Sequence, residues 1–135
     1  MNMREFVRLQ TGILLAGLAS QVHRTARTGD AGSIHDLRVA LRRLSRCLRV
    51  FARFYPKRAW KPMRRRLAGL IDACGSVRDR DIAIELLQKA GVPTTSPLVR
   101  QLDEERRAAD ERLRRELHRW KARGFGRQWH VRLEL

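Results

Sequence analysis

Acid is scarce in this chain: 14 Asp and Glu stand against 30 Lys and Arg, for a formal net charge of +16. The shortage is sharpest from Ile34 to Arg66, where Asp36 is the single acid beside twelve cations. That pattern excludes an ordinary solvated surface, in which interspersed carboxylates relieve the repulsion between like charges three and four residues apart on a helix. Cysteine is limited to Cys47 and Cys74. Their number and spacing fit no metal motif, and both are read as core thiols. No long hydrophobic run is present. The best stretch, "GILLAGLAS", is too short to span a bilayer and lacks a clear cleavage site, so a cytoplasmic protein without a membrane segment is expected. Aromatics make up only 6% of the chain. There is no Walker loop and no nucleophile beside a base, so an enzyme is not expected.

What is present is arginine: 26 of the 30 cations. A planar guanidinium binds phosphate through a two-pronged fork, whereas lysine offers a point charge. The excess therefore points to a phosphate-rich polyanion rather than to charge alone. At 135 residues and 43% hydrophobic content, the chain is long enough for one domain with a real core.

Gly and Pro cut the sequence into helical lengths, with no strand-like alternation and no low-complexity tract. The fold class is all-α, an antiparallel helical bundle of about five helices. The first helix is expected over 3–28, with Phe6, Leu9, Ile13, Ala16, Ser20 and His23 at helical spacing. It ends at "TGDAGS", where Ser33 is a good N-cap for a second helix over 34–54. A third is expected over 58–74 with Gly75 as its stop. Ser76 and Asp79 then resemble a capping box for a short fourth helix closed by Gly91 and Pro93. The fifth, over 97–122, has Leu98, Leu102, Ala109, Leu113, Leu117 and Trp120 as its seam. Residues 1–122 form the bundle, and 123–135 a tail or the start of a further helix whose partner is missing or comes from another copy.

Projected at 100° per residue, the second helix separates into two faces. Leu37, Leu41, Leu44, Leu48, Phe51 and Tyr55 form an apolar arc. His35, Arg38, Arg42, Arg46, Arg49 and Arg53 form another, centred roughly 140° away. The row from Arg38 to Arg53 extends roughly 22 Å at the helical rise, which suits a linear polyanion. The third helix adds Lys61, Arg64 and Arg65. His35 is read as a phosphate-contacting donor in line with the arginines, since no second metal ligand sits three or four residues on. His23, His118 and His130 are read as structural or surface residues.

The segments "IHDLRVALRRLSRCLRVF" and "LIDACGSVRDRDIAIELL" together resemble the CHAD family, the conserved histidine α-helical domain. The resemblance rests on His35-x-x-Arg38-Val39, the pair Arg42-Arg43, and Leu70, Gly75, Arg78 and Asp79 in order. It covers about residues 5–120. It implies a helical fold of two similar halves around a basic channel that binds inorganic polyphosphate, sometimes on polyphosphate granules. The family's basic residues map onto His35, Arg38, Arg42, Arg43, Arg46 and Arg78. Arg49, Lys61, Arg64 and Arg65 join them from the projection. Arg43 lies about 100° from the centre of the stripe, so a flanking ligand contact and a pair with Asp79 are both open to it. Asp79 and Asp81 are read as cap and local ion-pair residues. The chain matches one half of the family's pattern, so it is either a fragment or a unit that associates as a homodimer to complete a basic channel. Nonspecific nucleic-acid binding through charge is the alternative reading.

Overall fold

In the computed structural model, which describes residues 1–135, the chain is five α-helices and no strand: α1 (Met3–Thr28), α2 (Ala31–Val50), α3 (Lys57–Lys89), α4 (Pro97–Ala122) and α5 (Phe125–Arg132). A 3-10 turn, Ala52–Phe54, joins α2 to α3. Neighbours in the bundle are α1 with α2, α2 with α3, α3 with α4 and α4 with α1, which sets α1 and α3 diagonally.

The first helix begins with a full capping box. Asn2 accepts from the Glu5 N–H at 2.8 Å, and Glu5 accepts from the Asn2 N–H at 3.1 Å. It ends on Gly29, whose φ of 62° lies in the left-handed region that glycine adopts without a Cβ clash. Its buried face is Val7, Thr11, Leu15, Leu18, Val22 and Thr25, not the expected row beginning at Phe6. That row runs out into Ser20 and His23, whereas the row from Val7 keeps packing residues to the helix end. Phe6, Leu9 and Ile13 are left exposed.

Asp30, rather than Ser33, caps α2, accepting from the Ser33 N–H at 2.7 Å. Ser33 is buried inside the first turn, and its hydroxyl donates back to the Asp30 carbonyl at 2.9 Å. Leu37, Leu41, Leu44, Leu48 and Tyr55 are buried as the projection requires. The Thr11 hydroxyl donates to the Val7 carbonyl at 2.6 Å, leaving its oxygen to accept from the Tyr55 hydroxyl at 2.6 Å. This buried pair ties the end of the α2 turn to α1.

The expected third and fourth helices are one. α3 runs 33 residues through Gly75 and Ser76 without a break. An isolated glycine weakens a helix by about 1 kcal/mol. Here that is outweighed by Leu67, Leu70, Ala73, Cys74 and Val77, which carry one buried face across the glycine. Ser76 caps nothing; its side chain and carbonyl receive the Arg80 guanidinium instead.

In α4, Val99 is buried and Leu98 exposed, while Ala109, Leu113, Leu117 and Trp120 pack as expected. The tail is a folded element. Gly124, at φ 57°, turns the chain into α5. Phe125 and Trp129 then meet Trp120 edge-to-face at centroid distances of 4.8 and 5.3 Å. Phe125, Trp129 and Leu133 are buried within this same chain, so the tail finds its packing partner in α4 and α1 rather than awaiting one.

Candidate functional site, the α2–α3 groove

Two clefts open along the seam between α2 and α3, and together they make up the α2–α3 groove. At one end His35 and Arg38 of α2 face Val77 and Arg78 of α3 across a cleft of about 220 Å³. At the other end Ser45 and Arg49 face Trp60 and Arg64 across a smaller one of about 90 Å³. The helix geometry explains the pairing. Arg64 and Arg78 lie within about 40° of Trp60 around α3, so one face of that helix carries cations at both ends of the groove.

Arg42 and Arg46 stand between these ends on the exposed ridge of α2. Lys61 and Arg65 are turned about 100° and 140° from Trp60, which places them on the outer flank of α3. Arg43 is on the other flank of α2. It lines a groove against α1 with Ile13, Gly17, Gln21 and Asp36, away from Arg78 and away from Asp79. Of the ten sequence-derived candidates, His35, Arg38, Arg49, Arg64 and Arg78 line the two clefts. Arg42 and Arg46 ridge the groove, Lys61 and Arg65 flank it, and Arg43 turns away.

The two clefts are lined by four arginines and two acids. Seven ion pairs hold the surface, and none includes any of the ten candidates. Both acids line the larger cleft, and each has a cation of its own: Asp81 pairs with Arg106 of α4, and Glu85 pairs with Lys89 at 3.1 Å. Arg38 is the extreme case. It is half-buried, its Nε is buried without a hydrogen-bond partner, and its pKa is lowered, first by burial and then by repulsion from Arg42 and Arg78. A partly desolvated cation held among like charges is unfavourable until an anion arrives.

Sequence reasoning missed three features here. Trp60 lies under the Arg64 guanidinium at 5.4 Å, a stack signalled only by their spacing of four. Cys74 sits fully buried, and Arg38 lowers its pKa slightly against the larger effect of burial. Asp79 is exposed and outside every ion pair, and it acts on Arg38 from a distance. Asp81 does form an ion pair, but with α4 rather than locally.

An all-helical bundle with one basic, unpaired groove is the class of protein these features define. The chain belongs to the CHAD domain family, whose model matches residues 13–134. The match runs through α5, so the family's pattern includes the element that packs on Trp120. No curated protein and no solved structure matches the chain. No helix is long and apolar enough to cross a membrane.

Proposed function

We propose that this chain binds inorganic polyphosphate along the α2–α3 groove and does not transform it. The observation that carries the reading is the set of groove cations outside every ion pair, with half-buried Arg38 in the larger of the two clefts. Membership of a family associated with polyphosphate supports it.

In this reading, successive phosphates take the place that carboxylates occupy on an ordinary protein surface. Arg38 and Arg78 grip one stretch from opposite walls, with His35 as a further donor. Arg42 and Arg46 follow the chain along the ridge, and Arg49 and Arg64 grip the far end. Lys61 and Arg65 contribute field from the flank, and Arg43 does so only weakly. Each phosphate neutralised releases counterions, so affinity falls steeply with salt. Recognition is of repeating charge, because polyphosphate presents no bases. A place on cytoplasmic polyphosphate granules follows from the same reading.

The competing reading is nucleic acid, which shares the electrostatic requirement and for which Trp60 offers the single aromatic face in the groove. The deciding experiment is competition for long-chain polyphosphate by single- and double-stranded DNA at equal phosphate concentration and physiological salt. Preference for polyphosphate supports the proposal; equal or better binding of DNA replaces it. Replacing Arg38, Arg42 and Arg46 together by Ala should abolish polyphosphate binding while helicity is retained. Loss of helicity would reassign those arginines to holding the fold. Release of phosphate from polyphosphate by the pure protein would overturn the non-catalytic part of the proposal.

A further inference from the structure

We propose that the outer face of α1, together with α5, is the surface through which two copies of this chain pair. Phe6, Leu9 and Ile13 form an exposed apolar crest along α1, at 43%, 50% and 57% exposure, and Val131 of α5 is 75% exposed. Beside the crest lie two contiguous shallow grooves of about 630 and 680 Å³, which share Gly12, Ala16 and His130. A side chain added at Gly12 would meet nothing within 4 Å. Crest and notch therefore lie side by side on one surface, the relief a two-fold pairing needs, because each copy supplies both the knob and its hole.

Charge selects a second copy over other occupants. In a chain with 33% charged residues, the stretch from Leu9 to Val22 has none. Two molecules of net charge +16 approach most closely where cations are fewest, and on this face they are confined to the groove ends, at Arg8 and Arg127. The ends of the groove are complementary as well. Glu5, the one acid of α1, lines one end beside Arg8, and Arg127 lines the other, where Gly126 lies against Ala19. Glu5 and Ala19 are equidistant in sequence from Gly12, roughly 10 Å along the helix on either side. A two-fold axis at Gly12 with α1 crossing its copy antiparallel thus sets each Glu5 beside the partner copy's Arg127 end. A face roughly 21 Å long and two helices wide has a footprint on the order of 400 Å² per copy, about 800 Å² in total and below what a stable specific interface buries. The pairing is therefore weak and concentration-dependent.

This proposal departs from a dimer that closes a channel. Because α1 and α3 stand diagonally in the bundle, pairing through α1 turns the two α2–α3 grooves outward, as separate binding surfaces on one particle.

The test is sedimentation velocity on the full chain without polyphosphate, from roughly 1 µM to roughly 500 µM, at about 0.1 M and about 0.5 M salt. The mass should move toward twice that of the chain as concentration rises, and more readily at high salt, where the repulsion between the two +16 bodies is screened. Ile13→Glu, which adds a charge to the crest, and Gly12→Leu, which fills the notch, should remain monomeric with unchanged circular dichroism. Arg127→Glu and Glu5→Lys should each weaken pairing at least several-fold, and the double variant should recover it. A monomer at every concentration would overturn the proposal, as would self-association that Ile13→Glu leaves intact. Sedimentation of a monomeric wild type with phosphatidylserine vesicles would overturn it too, and assign the face to a lipid surface. The readout is mass without ligand, so failure here leaves the polyphosphate reading standing, and failure of that reading leaves this one.

Discussion

Arg38 and Arg78 line opposite walls of one cleft, neither belongs to an ion pair, and the charge of Arg78 helps to depress the pKa of Arg38. Binding and stability should therefore respond in opposite directions to the loss of one of them. Arg38→Gln should weaken polyphosphate binding about tenfold or more, since a hydrogen-bonded charge contributes about 1.5–3 kcal/mol. The ligand-free variant should melt at the same temperature as the wild type or above it. Titration calorimetry paired with thermal melting reads both, and a variant that loses binding and stability together would contradict the expectation.

Burial pushes the Cys74 thiol from 9.0 up to about 12. The unfolded chain thus ionises this thiol at lower pH than the folded one. Above pH 9 the native state holds more protons than the unfolded state, so stability falls as pH rises. Tyr55, raised from 10.0 mainly by burial, acts in the same direction. Thermal melts should show a falling midpoint from about pH 9 toward pH 12, and Cys74→Ala should flatten the slope. At pH 8 the native thiol should resist alkylation and react promptly once the chain is unfolded.

Arg66 lies over the Trp120 ring at 5.0 Å and the Trp129 ring at 5.6 Å, and its Nη2 is buried without a partner. Truncation to Ala removes both the cation–π contact and the stem's packing, and should destabilise by about 1–2 kcal/mol. Arg66→Met keeps the packing and removes the orphaned donor, so it should stay within about 1 kcal/mol of wild type. Chemical denaturation separates the two variants. Equal losses would show that the charge rather than the stem holds this corner.

Gly75 lies inside a continuous α3, and a side chain added there meets nothing within 4 Å. Gly75→Ala should therefore stabilise the protein by about 0.5–1 kcal/mol. A helix stop at this glycine would instead make the substitution destabilising, so one denaturation curve distinguishes the two arrangements.

The amphipathic division of α2 was legible because it is strict: five of its six predicted core positions are buried, and the arginines lie opposite. The site's cations were likewise legible as a stripe. What the sequence could not show is which side of the stripe meets a neighbour. Projection sets Arg43 apart from Arg38, but only the packing of α1 and α3 on opposite flanks decides which neighbour each one meets. α1 was misread because it is apolar on two sides, and periodicity alone cannot choose between the row from Val7 and the row from Phe6. The α3 error has a different origin. Gly75 and Ser76 have the local chemistry of a stop and a start, and only the continuity of the face from Leu67 to Val77 overrides it. The role of the tail depended on Trp120 and Trp129, two aromatics far enough apart in sequence that only the turn at Gly124 brings them together.

The unbroken α3 also works as a ruler. Arg64 and Arg78 are fourteen residues apart on the same face of one rigid rod, roughly 21 Å at the helical rise. A flexible joint at Gly75 would let the two ends close on a short anion; a continuous helix holds them apart. If the groove binds polyphosphate as proposed, phosphate, pyrophosphate and other compact anions would satisfy one end of it at a time, and only a chain long enough to span the distance would engage both. Length discrimination of this kind is set by the backbone, and it would survive replacement of any one arginine in between.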